Sequence, residues 1–192
     1  MQKFKHYLLL SQINLFGWLA LASVLASSVV FRNGGVSNYG NHYNTVLFYS
    51  FAFLAGAFYL YLAAESLLVL DRRFKNLVRY LNVLCVLLLS VFVTTFPRRF
   101  GDVFSDIHDN VSKVLFAYEF LLALWLVVKR PKLDTLGYML IMAAGSIIGL
   151  LSSMHKLNLM LVGQMGGALG FALLLVIILP KVVAKESRGI SD

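Results

Sequence analysis

Asn158-Leu-Met-Leu-Val-Gly-Gln-Met-Gly-Gly-Ala-Leu-Gly-Phe-Ala-Leu-Leu-Leu-Val-Ile-Ile-Leu-Pro180 is a run of 23 residues without one charged side chain. At about 1.5 Å per helical residue, roughly 20 such residues cross the ~30 Å hydrocarbon layer of a bilayer. The run therefore reads as a transmembrane helix. Five more stretches read the same way, and the six spans lie approximately at 7–30, 45–70, 80–96, 112–128, 135–153 and 158–180.

Composition agrees with that reading. Of the 192 residues, 59% are hydrophobic and 14% charged, with a mean hydropathy of +0.79. Soluble domains carry about 25% charged and ~45–50% apolar residues, so a water-soluble globule and a disordered chain are both excluded. The spans fill most of the chain and leave no room for a separate soluble domain. The expected fold is all-α: a polytopic membrane protein, a six-transmembrane-helix bundle forming a single domain over 1–192. Lys3, Lys5 and His6 before the first span resemble the start of a signal peptide. The apolar part exceeds the ~7–15 residues of a cleaved signal and no A-x-A site follows, so the segment reads as a permanent helix.

Lysine and arginine set the orientation. With the N-terminus inside, 12 of the 17 basic residues fall on the inner side: Lys3, Lys5, Arg72, Arg73, Lys75, Arg79, Lys129, Arg130, Lys132, Lys181, Lys185 and Arg188. Arg32, Arg98, Arg99, Lys113 and Lys156, 5 in all, fall outside. Positive residues concentrate on the cytoplasmic side of short loops, so the N-terminus and the C-terminus are both expected to be cytoplasmic. The formal charge of +8 is thereby an orientation signal matched to anionic lipid, with no nucleic acid among the expected partners.

Asp71-Arg-Arg-Phe-Lys-Asn and Lys129-Arg-Pro-Lys-Leu-Asp134 are short basic turns joining neighbouring helices. The outer connections differ. Residues 31–44 are rich in Gly, Asn and Ser, and residues 97–110 hold Asp102, Asp106 and Asp109, three of the nine acidic residues. Function concentrates in loops, which points to this outer face. Gly163-Gln-Met-Gly-Gly167, Gly166-Gly-Ala-Leu-Gly170 and Gly145-Ser-Ile-Ile-Gly149 place small residues four apart, which lets membrane helices approach closely. Gly163, Gly166, Gly167 and Gly170 would pack the last two helices together or join two copies as a homodimer.

Ionisable groups inside a span are functional candidates. Glu119 lies deep in the fourth span, and His108, Ser112, Leu115 and Glu119 follow helical spacing. Glu65 sits near the inner end of the second span, one turn after Tyr61. His108, Ser112, Glu119, Arg98, Arg99 and Glu65 thus form the candidate pocket residues. Arg98 and Arg99 after Pro97 suit a lipid phosphate or snorkelling to the interface. A second candidate is a metal centre. His42, His108 and His155 fall one in each outer loop beside Asp102, Asp106 and Asp109, a donor set suited to zinc and to hydrolysis of a lipid headgroup. No H-x-x-H or H-E-x-x-H pair fixes two ligands on one helix. The single Cys85 provides neither a disulfide nor a cysteine-based metal site. No lysine lies mid-span for a retinal Schiff base, and no paired histidines for a haem.

Val36-Ser-Asn-Tyr-Gly40 before an aromatic second helix, Phe96-Pro97, His108 and Ala117-Tyr-Glu-Phe120 resemble motifs of the DRAM, Sfk and FGF-receptor-activating-protein families and their small prokaryotic relatives. The resemblance implies six helices and lipid-related work at the membrane, and for the prokaryotic relatives a plasma-membrane location. It brings no catalytic residue, and His108 matches the family's loop histidine. The expected function is binding or organising lipid, or modulating a membrane partner, through an outward-facing pocket. A metal-dependent hydrolase and a proton-coupled carrier using Glu119 are the alternatives.

Overall fold

The computed structural model describes residues 1–26, 35–154 and 157–188. Six helices in it are long and apolar enough to cross a membrane. They are α1 (Gln2–Leu25), α3 (Val46–Leu70), α4 (Lys75–Thr95), α5 (Asp102–Lys129), α6 (Leu133–Ser153), and a last continuous span built from α7 (Met160–Leu173), a π-helical turn (Leu174–Ile178) and α8 (Leu179–Ser187). The short helix α2 (Asn38–Asn41) lies in the first connection, and 3-10 turns cover Arg72–Phe74 and Phe96–Phe100. No strand occurs among the described residues. In hydrocarbon a helix alone satisfies its own backbone, so this all-helical result is what the composition requires.

Consecutive spans pack antiparallel. Ser11 Oγ donates to Gly56 O (2.8 Å) while the Trp18 ring lies against Phe51, which sets α1 against α3 in opposite directions. Tyr49 meets Thr95 and Cys85 meets Ala57 across α3 and α4. Thr94 meets His108, and Tyr118 meets Tyr80, across α4 and α5. These pairs collect Lys3, Lys5, residues 71–79, residues 129–134 and residues 181–188 at one end of the bundle, called here the basic end. The opposite end holds His42, Arg98 and His108 and is called the histidine end.

Helix ends reach beyond the hydrophobic stretches. Span four, expected at 112–128, begins at Asp102, because polar Asp102–Asn110 continues the helix beyond the apolar run. Span six runs to Ser187 rather than 180, since the helix continues through Pro180, with the π turn just before it making room for the ring. The first span starts at Gln2 rather than 7, and its expected end at 30 lies outside the described residues.

The tightest packing joins α6 to α7. A Cβ at Gly145 would collide with the backbone nitrogen of Gly167, and one at Gly163 with that of Gly149. Gly166 and Gly170 also abut α6, so all four glycines singled out in the last span are used within the chain. This contact stands in for the hydrophobic drive that lipid removes. Elsewhere the surface is apolar, with Val86, Leu121 and Leu140 more than half exposed and suited to lipid contact.

The basic end is held by ions. Arg130 Nη1 meets Asp134 Oδ1 at 2.6 Å, Lys181 reaches the other oxygen of Asp134, and Lys129 pairs with Glu186. Arg73 pairs with Asp71, whose carboxyl sits below its ordinary pKa because the Arg73 N–H and guanidinium both bond to it. The α5–α6 turn is thus tied to α8.

Substituting Gly145 should unseat the α6–α7 seam. We expect G145A to lower stability by about 1–3 kcal/mol, whereas G137A, whose new methyl meets open space, leaves the thermal midpoint in detergent unchanged. Equal midpoints for the two variants would contradict the close approach.

Candidate functional site

Polar side chains gather at the histidine end through the first connection. Val36 N donates to Gln164 Oε1 (2.7 Å), tying residues 35–36 to α7. Tyr39 is fully buried and its hydroxyl donates to Ser23 of α1, while Thr45 Oγ1 donates to the Tyr39 carbonyl (2.8 Å). Gly40 lies against Thr95 and Tyr49, where a side chain would not fit. The connection therefore lies clamped across α1, α4 and α7.

That clamp brings Ser37 to Arg98. Arg98 lies in the 3-10 turn after α4, and its Nη1 donates to Ser37 Oγ at 2.7 Å. Its Nε is buried and has no acceptor among the described residues. No carboxylate forms a salt bridge with this guanidinium among the described residues. Because guanidinium stays charged, a half-buried Arg with one donor on a neutral hydroxyl and one donor orphaned is prepared for an anion.

His108 is buried, 3% exposed, on the face of α5 that meets α4. Thr94 Oγ1 lies 3.1 Å from its Nδ1. Thr94 itself bonds the Ser90 carbonyl at 2.7 Å, and this use of its proton leaves the oxygen to accept from the imidazole N–H. One residue along, Tyr49 and Thr95 share a buried hydrogen bond of 2.7 Å, with Thr95 also donating to the Val91 carbonyl. Arg98, Ser37, His108 and the two threonines thus line one end of the α4–α5 pair.

The other sequence candidates are dispersed. Asp102, Asp106 and Asp109 are exposed on α5 while His108 points inward, because buried position 108 sits on the opposite side of the helix from that acidic row. Asp109 forms no salt bridge with Lys113. His42 is exposed after α2. Three metal-ligating groups converge nowhere among the described residues, and His155, the remaining histidine of the zinc set, lies outside them. Ser112 is half-buried on α5, and Glu119 lies 11 residues beyond His108, about 16 Å along the axis. Glu119 and Glu65 are half-buried, and neither takes a hydrogen bond or ion pair from a described residue; Tyr61 does not reach Glu65. Arg99 belongs to the same 3-10 turn as Arg98, and its side chain lies outside the described set.

Sequence reasoning missed Ser37, Thr94 and Gln164 as partners. Gln164 carried a visible signal, being the one amide inside the apolar part of an uncharged span whose other amide, Asn158, stands at its first position. Ser37 carried none, since its role depends on how the first connection folds back. Comparison with known protein families, curated proteins and solved structures finds no match.

The Tyr49–Thr95 bond supports the helix that carries Thr94 and Arg98. T95V, which keeps shape but strands the buried Tyr49 hydroxyl, should cost about 1–3 kcal/mol, and Y49F about 1 kcal/mol. The double variant should lose less than the sum in thermal unfolding. Strict additivity would mean that the two groups do not interact.

Proposed function

We propose that this multi-pass membrane protein binds the phosphate of a lipid headgroup at its histidine end, with Arg98 as the anchor. The observation that carries the reading is the Arg98 guanidinium, half-buried, held by Ser37 and lacking both a carboxylate and an acceptor for Nε. A phosphate accepts a forked pair of hydrogen bonds from the terminal nitrogens of a guanidinium, Nε itself being buried. Arg98 follows the last turn of an apolar span, which is the depth of a headgroup. The excess of basic residues at the other end supports an outward orientation for this one. The likeness of Val36–Gly40 and Phe96-Pro97 to the DRAM-related families points toward lipid as well. Binding and ordering of lipid is the role this arrangement serves, with His108 and Thr94, bonded to each other, as fixed walls.

The test is native mass spectrometry of the delipidated protein titrated with phosphatidylglycerol. R98Q is expected to weaken retention of one lipid about tenfold or more, since a hydrogen bond to a charged group is removed. R98K, which keeps charge but not the fork, should fall between. Unchanged affinity in R98Q would overturn the reading.

A second reading rests on Glu119, a carboxyl about midway along a spanning helix with no partner among the described residues. Such a group suits a proton-coupled carrier. Dicyclohexylcarbodiimide, which reacts with protonated carboxyls in hydrocarbon, should modify Glu119 in membranes and leave E119Q unmodified at that peptide. An unreactive Glu119 would remove this reading.

A further inference from the structure

A groove at the basic end is separate from the Arg98 site. It is a shallow, open groove between α4 and α5 of about 400 Å³, lined by Asn76, Arg79, Tyr80, Val83 and Tyr118. Positions 76, 79, 80 and 83 follow i, i+3, i+4, i+7 spacing and form one exposed stripe of α4, which Tyr118 of α5 faces. The two tyrosine rings lie 6.0 Å apart, and the Tyr118 hydroxyl donates to the Tyr80 carbonyl (3.2 Å), which fixes the wall between the helices. Arg79 makes no salt bridge and no hydrogen bond with another described residue.

The lining changes character along the groove. Asn76 and Arg79 occupy the first turns of α4, and Val83 lies about 10 Å deeper than Asn76. A polar mouth, a tyrosine pair and an apolar floor in that order match headgroup, interface and acyl chain. The surroundings select the charge of the occupant. Arg72, Arg73 and Lys75 precede Asn76 within four residues, and Asp71, the acid of this turn, is already bound by Arg73. We infer that this groove holds one anionic phospholipid of the leaflet at the basic end, its phosphate on Arg79 and Asn76 and a chain along Val83 and Tyr118. A zwitterionic headgroup would bring its cation toward the unpaired Arg79 and the basic turn that precedes it, and is disfavoured.

The chain carries its own reporter. Trp18 and Trp125 are the two tryptophans, and the Thr94–His108 and Tyr80–Tyr118 pairs set Trp125 level with the first turn of α4. In the W18F background, Trp125 fluorescence is read in phosphatidylcholine bilayers in which increasing phosphatidylglycerol carries brominated acyl chains. Competition between the two lipids yields their relative binding constant. Phosphatidylglycerol is expected to be favoured about fivefold, with near parity in R79Q, and with the preference retained in R72Q and in R98Q. Arg79 is exposed and unattached, so R79Q should fold; a thermal midpoint equal to that of the W18F parent checks this. Preference retained in R79Q, or lost equally in R72Q, would overturn the site in favour of a diffuse basic collar. Absence of preference in the W18F parent would overturn it outright. Since R98Q reports on the other end, failure of the Arg98 reading leaves this measurement unaffected.

Discussion

Inside hydrocarbon no water competes for a backbone N–H or C=O, and each must find its partner within its own helix. The rest of this molecule follows from that constraint. Serine hydroxyls turn back onto their own helices, as Ser50 does to Val46, Ser90 to Val86, Ser146 to Met142 and the buried Ser152 to Ile148. Helices so satisfied present few polar handles to one another, and adhesion passes to shape. Gly145 and Gly163 supply it by bringing two backbones into contact, and Ser11 on Gly56 adds one hydrogen bond between α1 and α3.

Apart from Ser11 on Gly56 and Cys85 on Ala57 midway along the bundle, the polar contacts between helices lie mostly toward the two ends, with opposite styles. The basic end neutralises its acids: Asp71, Asp134 and Glu186 each meet a cation. At the histidine end the described acids Asp102, Asp106 and Asp109 are exposed without salt bridges, while the cation Arg98 is half-buried beside neutral partners. Ion pairs at the first end fasten helices. The second end leaves a charge uncompensated, and it is this difference that makes Arg98 a binding group rather than a brace.

The spans were legible because an uncharged run of about 20 residues has few other uses. Their ends were less so, since six of the nine residues of Asp102–Asn110 are polar and the helix there extends beyond the hydrophobic stretch. The same extension decided the fate of the histidines. Read as a loop, residues 97–110 put His108 beside its aspartates; wound into α5, they turn it inward onto Thr94. Arg98 was visible as a lipid-facing cation, but its pairing with Ser37 joins positions 61 apart and depends on tertiary folding. Glu119 was found from sequence as an ionisable group in a span, and its isolation required the structure.

The bond from Val36 N–H to Gln164 joins positions 128 apart. Since chains are made at about 5–20 residues per second, the first connection waits roughly ten seconds for the helix that clamps it. The histidine end therefore stays open on one side until the last span has been made. Until α7 inserts, the loop that positions Ser37 has no fixed partner on that side, and the anion site belongs only to the finished chain.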